Sequence, residues 1–261
     1  MCRVSVITFI VSIFAVSFSG CAVGHKKNTK VKICSIEVLD TLPHDVSSYT
    51  QGLFFYKDTL YESAGQYGES SFRQTDLKTG KVLKRLNFGK DYFLEGSCVL
   101  NGKLYILTWQ ENTCFVYDMK TLGYIKSFHY KTEGWGLTTD GKNLIMSDGS
   151  STIYFRDPDN FKIKKKIDVT YKGRSIKLLN ELEYINGKIW SNVYTKDDIV
   201  LIDPESGQIE KLADCRNLLP SKYRKPETDV FNGIAYEPST GSIYVTGKYW
   251  PLMFKIKLSE K

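Results

Sequence analysis

A short strand pattern returns five times along the chain: LYESAG at 60–65, LYILTW at 104–109, LIMSDG at 144–149, IWSNVY at 189–194 and IYVTGK at 243–248. Successive copies start 44, 40, 45 and 54 residues apart. A near-constant period of this length marks one supersecondary unit used over and over, each copy burying its apolar face against the next. Each copy follows a turn: Lys57-Asp58, Asn101-Gly102, Asp140-Gly141, Asn186-Gly187, and a longer one over 238–241. Asn-Gly and Asp-Gly are the favoured pairs of tight hairpins, whose two central residues both need positive φ. Another apolar run precedes each turn: QGLFFY, EGSCVL, WGLTTD, NELEYI and NGIAYE. In the first four copies a third and a fourth strand follow, as in CFVYDM-KTL-GYIKSF. The fifth ends on a third strand, MFKIKL at 253–258.

Four short strands per unit, with no amphipathic helix between units, predict an all-β, five-bladed β-propeller over residues 32–261. The unmatched strand KICSIEVL at 32–39 is expected to complete the C-terminal blade and close the ring, leaving no open edge. A β-sandwich is the alternative, and it leaves the period unexplained. Alignment of the copies by their second strand puts Gln51, Glu95, Trp135, Asn180 and Asn232 in one column at the start of the innermost strands. The second strand runs back to the same end, where its sixth residue is Gly65, Trp109, Gly149, Tyr194 or Lys248. Phe93, two residues before Glu95, shares its face. A repeated core would place similar side chains at equivalent positions. Unlike residues in one column point instead to a site at one mouth of the channel. Its one firm carboxylate, Glu95, among apolar rings is expected to have a raised pKa suited to moving protons near neutral pH.

The formal charge of +7 hints at nucleic acid until it is localised. Arg3, Lys26, Lys27, Lys30 and Lys32 carry five of the positives, and residues 1–32 contain no acid, so the remainder is 7 − 5 = +2. No basic footprint for a phosphate backbone is left. Residues 4–18 are apolar or small, too short a run for a spanning helix and right for a signal peptide over 1–20. Ser19-Gly20-Cys21 resembles a bacterial lipobox, which would make Cys21 the acylated residue of a tether over 21–31. A plain secretory leader is the other reading. Both place the body outside the cytoplasm, anchored, in the first case, to the periplasmic face or the surface of a bacterial membrane by lipid alone. Cys34, Cys98, Cys114 and Cys215 form no CxxC pair and the chain has three His, so neither a metal centre nor a cofactor is expected.

Several motifs together resemble the plant and bacterial glutaminyl cyclases. They are Tyr49-Thr50-Gln51-Gly52-Leu53, Tyr61-Glu62-Ser63 with Tyr67-Gly68, Glu95-Gly96, Leu107-Thr108-Trp109, Gly134-Trp135-Gly136-Leu137, Ser147-Asp148-Gly149, Asn180-Glu181-Leu182-Glu183, Asn232-Gly233-Ile234-Ala235, and Thr246-Gly247-Lys248 before Trp250-Pro251. The resemblance runs from about residue 31 to the C-terminal end and touches all five units. It implies a metal-independent acyltransferase that converts N-terminal glutamine of peptides or proteins to pyroglutamate with loss of ammonia. It also implies Glu95 as the acid/base, Gln51, Asn180 and Lys248 as polar partners, and Trp109 and Trp135 as walls. Tyr194 stands where the family often has Trp, and Ser97 where an apolar residue is usual. A monomer is expected. The competing classes are a non-catalytic lipoprotein propeller that binds a peptide or assembly partner, and a sugar-directed propeller, which would want two convergent carboxylates. Glu181 and Glu183 flank Leu182 and are open to a channel or a salt-bridging role. Glu62 and Asp148 are expected to bond neighbouring loops.

Overall fold

The computed structural model describes Met1 and residues 31–260. The segment expected to be a leader and the expected anchor residue Cys21 lie, Met1 aside, outside the described residues. The chain opens with β1 (Lys32–Pro43) and then builds a first sheet from β2 (Thr50–Tyr56), β3 (Thr59–Ala64), β4 (Ser71–Thr75) and β5 (Val82–Asn87). A second follows from β6 (Leu94–Leu100), β7 (Lys103–Thr108), β8 (Thr113–Asp118) and β9 (Tyr124–His129). The third comprises β10 (Leu137–Thr139), β11 (Leu144–Met146), β12 (Thr152–Arg156) and β13 (Ile163–Asp168), trailed by a small hairpin, β14 (Thr170–Tyr171) and β15 (Arg174–Ser175). The fourth unit is β16 (Leu179–Ile185), β17 (Lys188–Val193), β18 (Asp198–Ile202) and β19 (Ile209–Asp214). The last is β20 (Phe231–Glu237), β21 (Ser242–Gly247) and β22 (Leu252–Glu260), with β1 as its fourth strand. Among the described residues the only helical piece is the 3-10 turn Ser221–Tyr223, and no helix is long and apolar enough to cross a membrane.

Local chemistry explains the repetition. At Asn101-Gly102 and Asn186-Gly187 both turn residues have positive φ, 53° with 73° and 49° with 79°. These are the values a two-residue hairpin requires, and Asn and Gly adopt them at little cost. The loop between third and fourth strands repeats too: Asp76, Asp118, Asp157 and Asp203 each accept backbone N–H bonds from residues two or three further on. Such side-chain turns fix a tight connection. The fifth unit has no such loop, because β1 takes the outer place from the other end of the chain.

The apolar core is divided into five seams, each shared by two adjacent units. Phe54 and Phe72 of the first meet Leu94, Leu104 and Ile106 of the second. Tyr105 and Leu107 then face Leu137 and Met146, Ile145 and Ile153 face Leu182 and Ile189, and Trp190 and Leu201 face Ile234 and Val245. Leu53 and Leu60 close the circuit against Ala235, Tyr244 and Met253. No unit buries its faces alone, which is why the pattern had to recur. The first strands accordingly touch in a closed circuit, β2 to β6 to β10 to β16 to β20 and back to β2.

β1 pairs antiparallel with β22, Ile36 opposite Leu258 and Thr41 opposite Phe254, so the expected partnership of 32–39 with 253–258 is present and runs on to Pro43. The sequence did not suggest that Lys32–Cys34 also pair parallel with Lys211–Ala213 of β19, fusing the last two units into one eight-stranded sheet. After β1, His44 ties the last unit to the first. Its backbone N–H donates to the Pro251 carbonyl, while its ring nitrogens reach the Trp250 carbonyl at 2.8 Å and the Glu62 carboxylate at 3.2 Å. Both ring partners are acceptors, which favours the doubly protonated imidazole; burial lowers its pKa, but the neighbouring Glu62 carboxylate outweighs that and raises it. Ser48 and Thr50 also donate to Glu62, which bonds a neighbouring loop as expected. Asp148 accepts from Ser150 and Tyr154. The four cysteines of the body are free and buried as small apolar side chains.

Candidate active site

Four inner strands carry a β-bulge at the same place. Register shifts fall between Thr50 and Gly52, Leu94 and Ser97, Leu179 and Leu182, and Phe231 and Ile234. The residues inside these bulges are Gln51, Glu95 with Gly96, Asn180 with Glu181, and Asn232 with Gly233, so four of the five in the sequence column sit there. The fifth, Trp135, lies just before β10. A bulge leaves one residue out of the ladder and re-aims its side chain. Here the backbone groups around the bulges bond mostly to the neighbouring unit, with Ser147 as a bridge between the third and the fourth. Glu95 O accepts from Ser63 Oγ at 2.6 Å, Gly96 N donates to Trp135 O at 2.7 Å, and Gly136 N donates to Ser147 Oγ at 2.7 Å. Ser147 Oγ in turn donates to Asn180 O at 2.7 Å, and Asn232 Nδ2 to Thr50 O at 2.9 Å. Ser97, unusual in its position, donates to Ser63 Oγ and joins the same network.

The bulges open into a cavity of about 200 Å³ lined by Tyr49, Gln51, Phe93, Glu95, Trp109, Trp135, Asn180, Tyr194 and Lys248. Larger grooves lie elsewhere, between the outer strands, and none gathers comparable chemistry. The rim of the cavity is an aromatic collar. Tyr49 meets Phe93 edge-on at 6.0 Å, Phe93 meets Trp109 at 5.6 Å, and Trp135 meets Tyr194 at 5.6 Å and 84°. Two charged side chains close its gaps. Lys248 Nζ sits 4.4 Å from the centre of the Tyr49 ring and 5.2 Å from that of Tyr194. Glu133 Oε2 accepts the indole N–H of Trp109 at 2.8 Å and of Trp135 at 2.9 Å. The small members of the second-strand column have a purpose. A Cβ on Gly65 would lie 2.3 Å from the Phe93 ring, and one on Gly149 2.6 Å from the Trp135 ring. Glycine there makes room for the walls.

Glu95 occupies the floor. It is buried, and its Oε1 accepts from Gln51 Nε2 at 2.9 Å. Burial pushes its carboxyl well above the ordinary value; Lys248 pulls it back, and Glu133 and Glu111 push it further up. Lys248 is depressed, again by burial, with Glu95 and Asp229 opposing. A carboxyl so placed holds its proton at a pH where a surface carboxyl is ionised, and an ammonium so placed gives its proton up more readily. Asn180 turns toward the cavity with its buried Oδ1 lacking a hydrogen-bond partner among the described residues. Also among the described residues, no group of three or more His, Cys, Asp or Glu is gathered as a metal would need.

The glutamine cyclotransferase family profile matches residues 12–258. The chain belongs to that family. A glutaminyl-peptide cyclotransferase of Arabidopsis thaliana is 44% identical over 237 residues, 88% of this chain and 73% of that protein. The crystal structure of the glutaminyl cyclase of Myxococcus xanthus matches with a TM-score of 0.83 at 31% identity, covering 89% of this chain and 100% of that one.

Eight of the nine cyclotransferase site residues expected from sequence line the cavity. Asn232 does not. It stands behind Gln51, with Nδ2 3.4 Å from Gln51 Oε1, and so supports a lining residue. Tyr49 and Glu133 were missed. Tyr49 precedes the strand column by two residues and reaches the cavity because Tyr249 N donates to Ser48 O at 2.7 Å, turning the loop inward. Glu133 did leave a signal: it is two residues before Trp135, a spacing that shares one face of extended chain. Glu181 and Glu183 do not line the cavity, and neither makes a salt bridge among the described residues. Glu181 accepts from Leu53 N at 3.3 Å and Ile234 N at 2.9 Å, Glu183 from Tyr236 N and Thr138 Oγ1, both at 3.1 Å.

Proposed function

We propose that the cavity closes the N-terminal glutamine of peptides or proteins into pyroglutamate with release of ammonia, and that Glu95 carries the proton in both directions. The chain's membership of the cyclotransferase family makes this its reaction class. The observation that carries the mechanism is the placement of Glu95: the one carboxylate on the cavity floor, buried, raised in pKa and held by the Gln51 amide. The α-amine of the substrate attacks its own side-chain amide carbon, forming the ring C–N bond. Glu95 takes a proton from that nitrogen. The same proton then goes to the departing NH₂ as the old C–N bond breaks, so ammonia leaves and Glu95 is again ionised. Lys248 and Asn180 lie beside this path, and the Lys248 ammonium is placed to stabilise the negative charge that develops on the amide oxygen. The collar holds the glutamine folded back on itself, which makes an intramolecular attack productive.

The same reading takes the five units as the blades of a five-bladed propeller and the reaction as a metal-independent acyl transfer by a monomer. The leader and Cys21 would deliver the enzyme outside the cytoplasm and hold it to a membrane by lipid. Ammonia release from a Gln-initiated dipeptide by the purified protein, with and without a strong chelator, tests the core of this. Turnover that survives chelation is expected. A lack of turnover with Gln-peptides would favour the binding-module alternative, and loss in chelator restored by zinc would overturn the metal-free mechanism.

A further inference from the structure

Glu133 belongs to neither the inner strands nor the cavity lining, yet it is the joint between two walls. Trp109 and Trp135 come from different units, and one carboxylate oxygen of Glu133 accepts both indole N–H groups, linking the two walls. The backbone on which Glu133 sits has little freedom. Gly134 N donates to Trp109 O at 3.0 Å, and a Cβ on Gly134 would fall 2.2 Å from the Tyr130 hydroxyl. Trp135 N is held by Ser147 O at 3.1 Å. The second oxygen, Oε1, accepts from Gln110 at 3.4 Å. Both oxygens are therefore engaged in holding neighbours. Charge-assisted bonds to two indoles also fix ring orientations that packing at a half-exposed rim would leave loose.

We infer that Glu133 is the positioning residue that sets the gap between the two tryptophan walls, and thereby how tightly the cavity grips the glutamine side chain. The inference rests on the cyclotransferase reading of the cavity. Two variants separate reach from charge. Glu133→Gln keeps an acceptor oxygen at the same distance and loses the charge. Glu133→Asp keeps the charge and withdraws the oxygen by about 1.5 Å, one C–C bond, too far to hold both indoles. With a Gln-initiated dipeptide, Glu133→Asp should raise KM about tenfold with kcat changed less than about threefold, the pattern of lost binding rather than lost chemistry. Glu133→Gln should keep KM within about threefold and instead move the acidic limb of the pH–rate profile to lower pH, because a negative neighbour of Glu95 is gone.

A readout independent of turnover is tryptophan emission. Two of the chain's four tryptophans are Trp109 and Trp135, so emission should shift in Glu133→Asp and stay near wild type in Glu133→Gln. Equal KM losses in both variants would make the role electrostatic, and wild-type KM and emission in Glu133→Asp would remove the role altogether. Either result overturns the inference while leaving turnover by the unaltered protein, and hence the cyclotransferase reading, intact. An inactive unaltered protein would instead overturn that reading, with the emission pair still deciding whether Glu133 spaces the walls.

Discussion

Two kinds of carboxylate are buried at the centre of this molecule, and they are held differently. Glu95 accepts from one side-chain amide and otherwise faces an aromatic cavity. Glu181 and Glu183, on the inner strand two units further on, are bonded to backbone N–H groups of β2 and β20. All three are raised in pKa, chiefly by burial; Glu181 also feels Glu183, and Glu183 stands at about 8. A perturbed pKa therefore does not pick out the chemistry. What distinguishes Glu95 is an unfilled space beside it. The channel pair instead accepts backbone N–H groups of neighbouring inner strands, and neither residue lines the cavity.

The largest expected effect tests that contrast directly. Glu95→Gln keeps size and the contact with Gln51, so chemical denaturation should shift by no more than about 1 kcal/mol. Cyclisation of Gln-peptides should nevertheless fall about a hundredfold or more in kcat, the scale of general acid–base catalysis. A folded Glu95→Gln protein with near-normal kcat would move the proton carrier elsewhere, and the channel pair would be examined next.

Next in size comes the wall. Trp109→Ala uncovers the two methylenes of the substrate glutamine, at about 0.8 kcal/mol each. Steady-state kinetics should show kcat/KM lower by about tenfold, with KM rising. A change confined to kcat would mean that Trp109 acts on the chemical step.

The smallest catalytic effect belongs to the channel. Glu183→Gln should leave kcat/KM within about threefold and act on stability instead. The folded protein keeps a proton on Glu183 up to about pH 8, whereas the unfolded chain releases it near its ordinary value. Between those limits the native state binds more protons than the unfolded state, so stability falls as pH rises, by about 1.4 kcal/mol per pH unit for one proton. Urea denaturation between pH 5 and 8 should show this slope flattened in the variant. An unchanged slope would assign the wild-type pH dependence to Glu95, Glu181 or His44, whose raised pKa values act in the same sense.

The division between legible and hidden follows from which features repeat. The hairpin turns are local, each decided by two to four residues, and their fivefold return made the repeat readable. The Gln51, Glu95, Asn180 and Asn232 column was readable for the opposite reason, since unlike side chains at one repeated position stand out. The bulges beneath that column were not readable. A bulge is one residue out of register, and it is held by Ser63 and Ser147, serines of the preceding units in sequence. Nor could the column tell Asn232, which backs Gln51, from Asn180, which lines the cavity, because burial behind a neighbour is a tertiary fact. Tyr49 stayed hidden because its approach depends on a contact with Tyr249, 200 positions away in the chain.

That distance also sets a schedule for biogenesis. Residues 34–43 find their antiparallel partners in 252–260, and Lys32 bonds to Glu260 across 228 positions. A ribosome must therefore finish almost the whole chain before the seam can be sewn, and until then β1 and β21 keep bare strand edges and the first unit keeps a partly uncovered apolar face. Long-range closure of this kind is slow compared with hairpin formation. A nascent chain with its final strand still unsynthesised is an open arc, prone to pairing with another like itself, and a lesion at Met253, in one cluster with Leu53 and Leu60, reaches the first unit as well as the last.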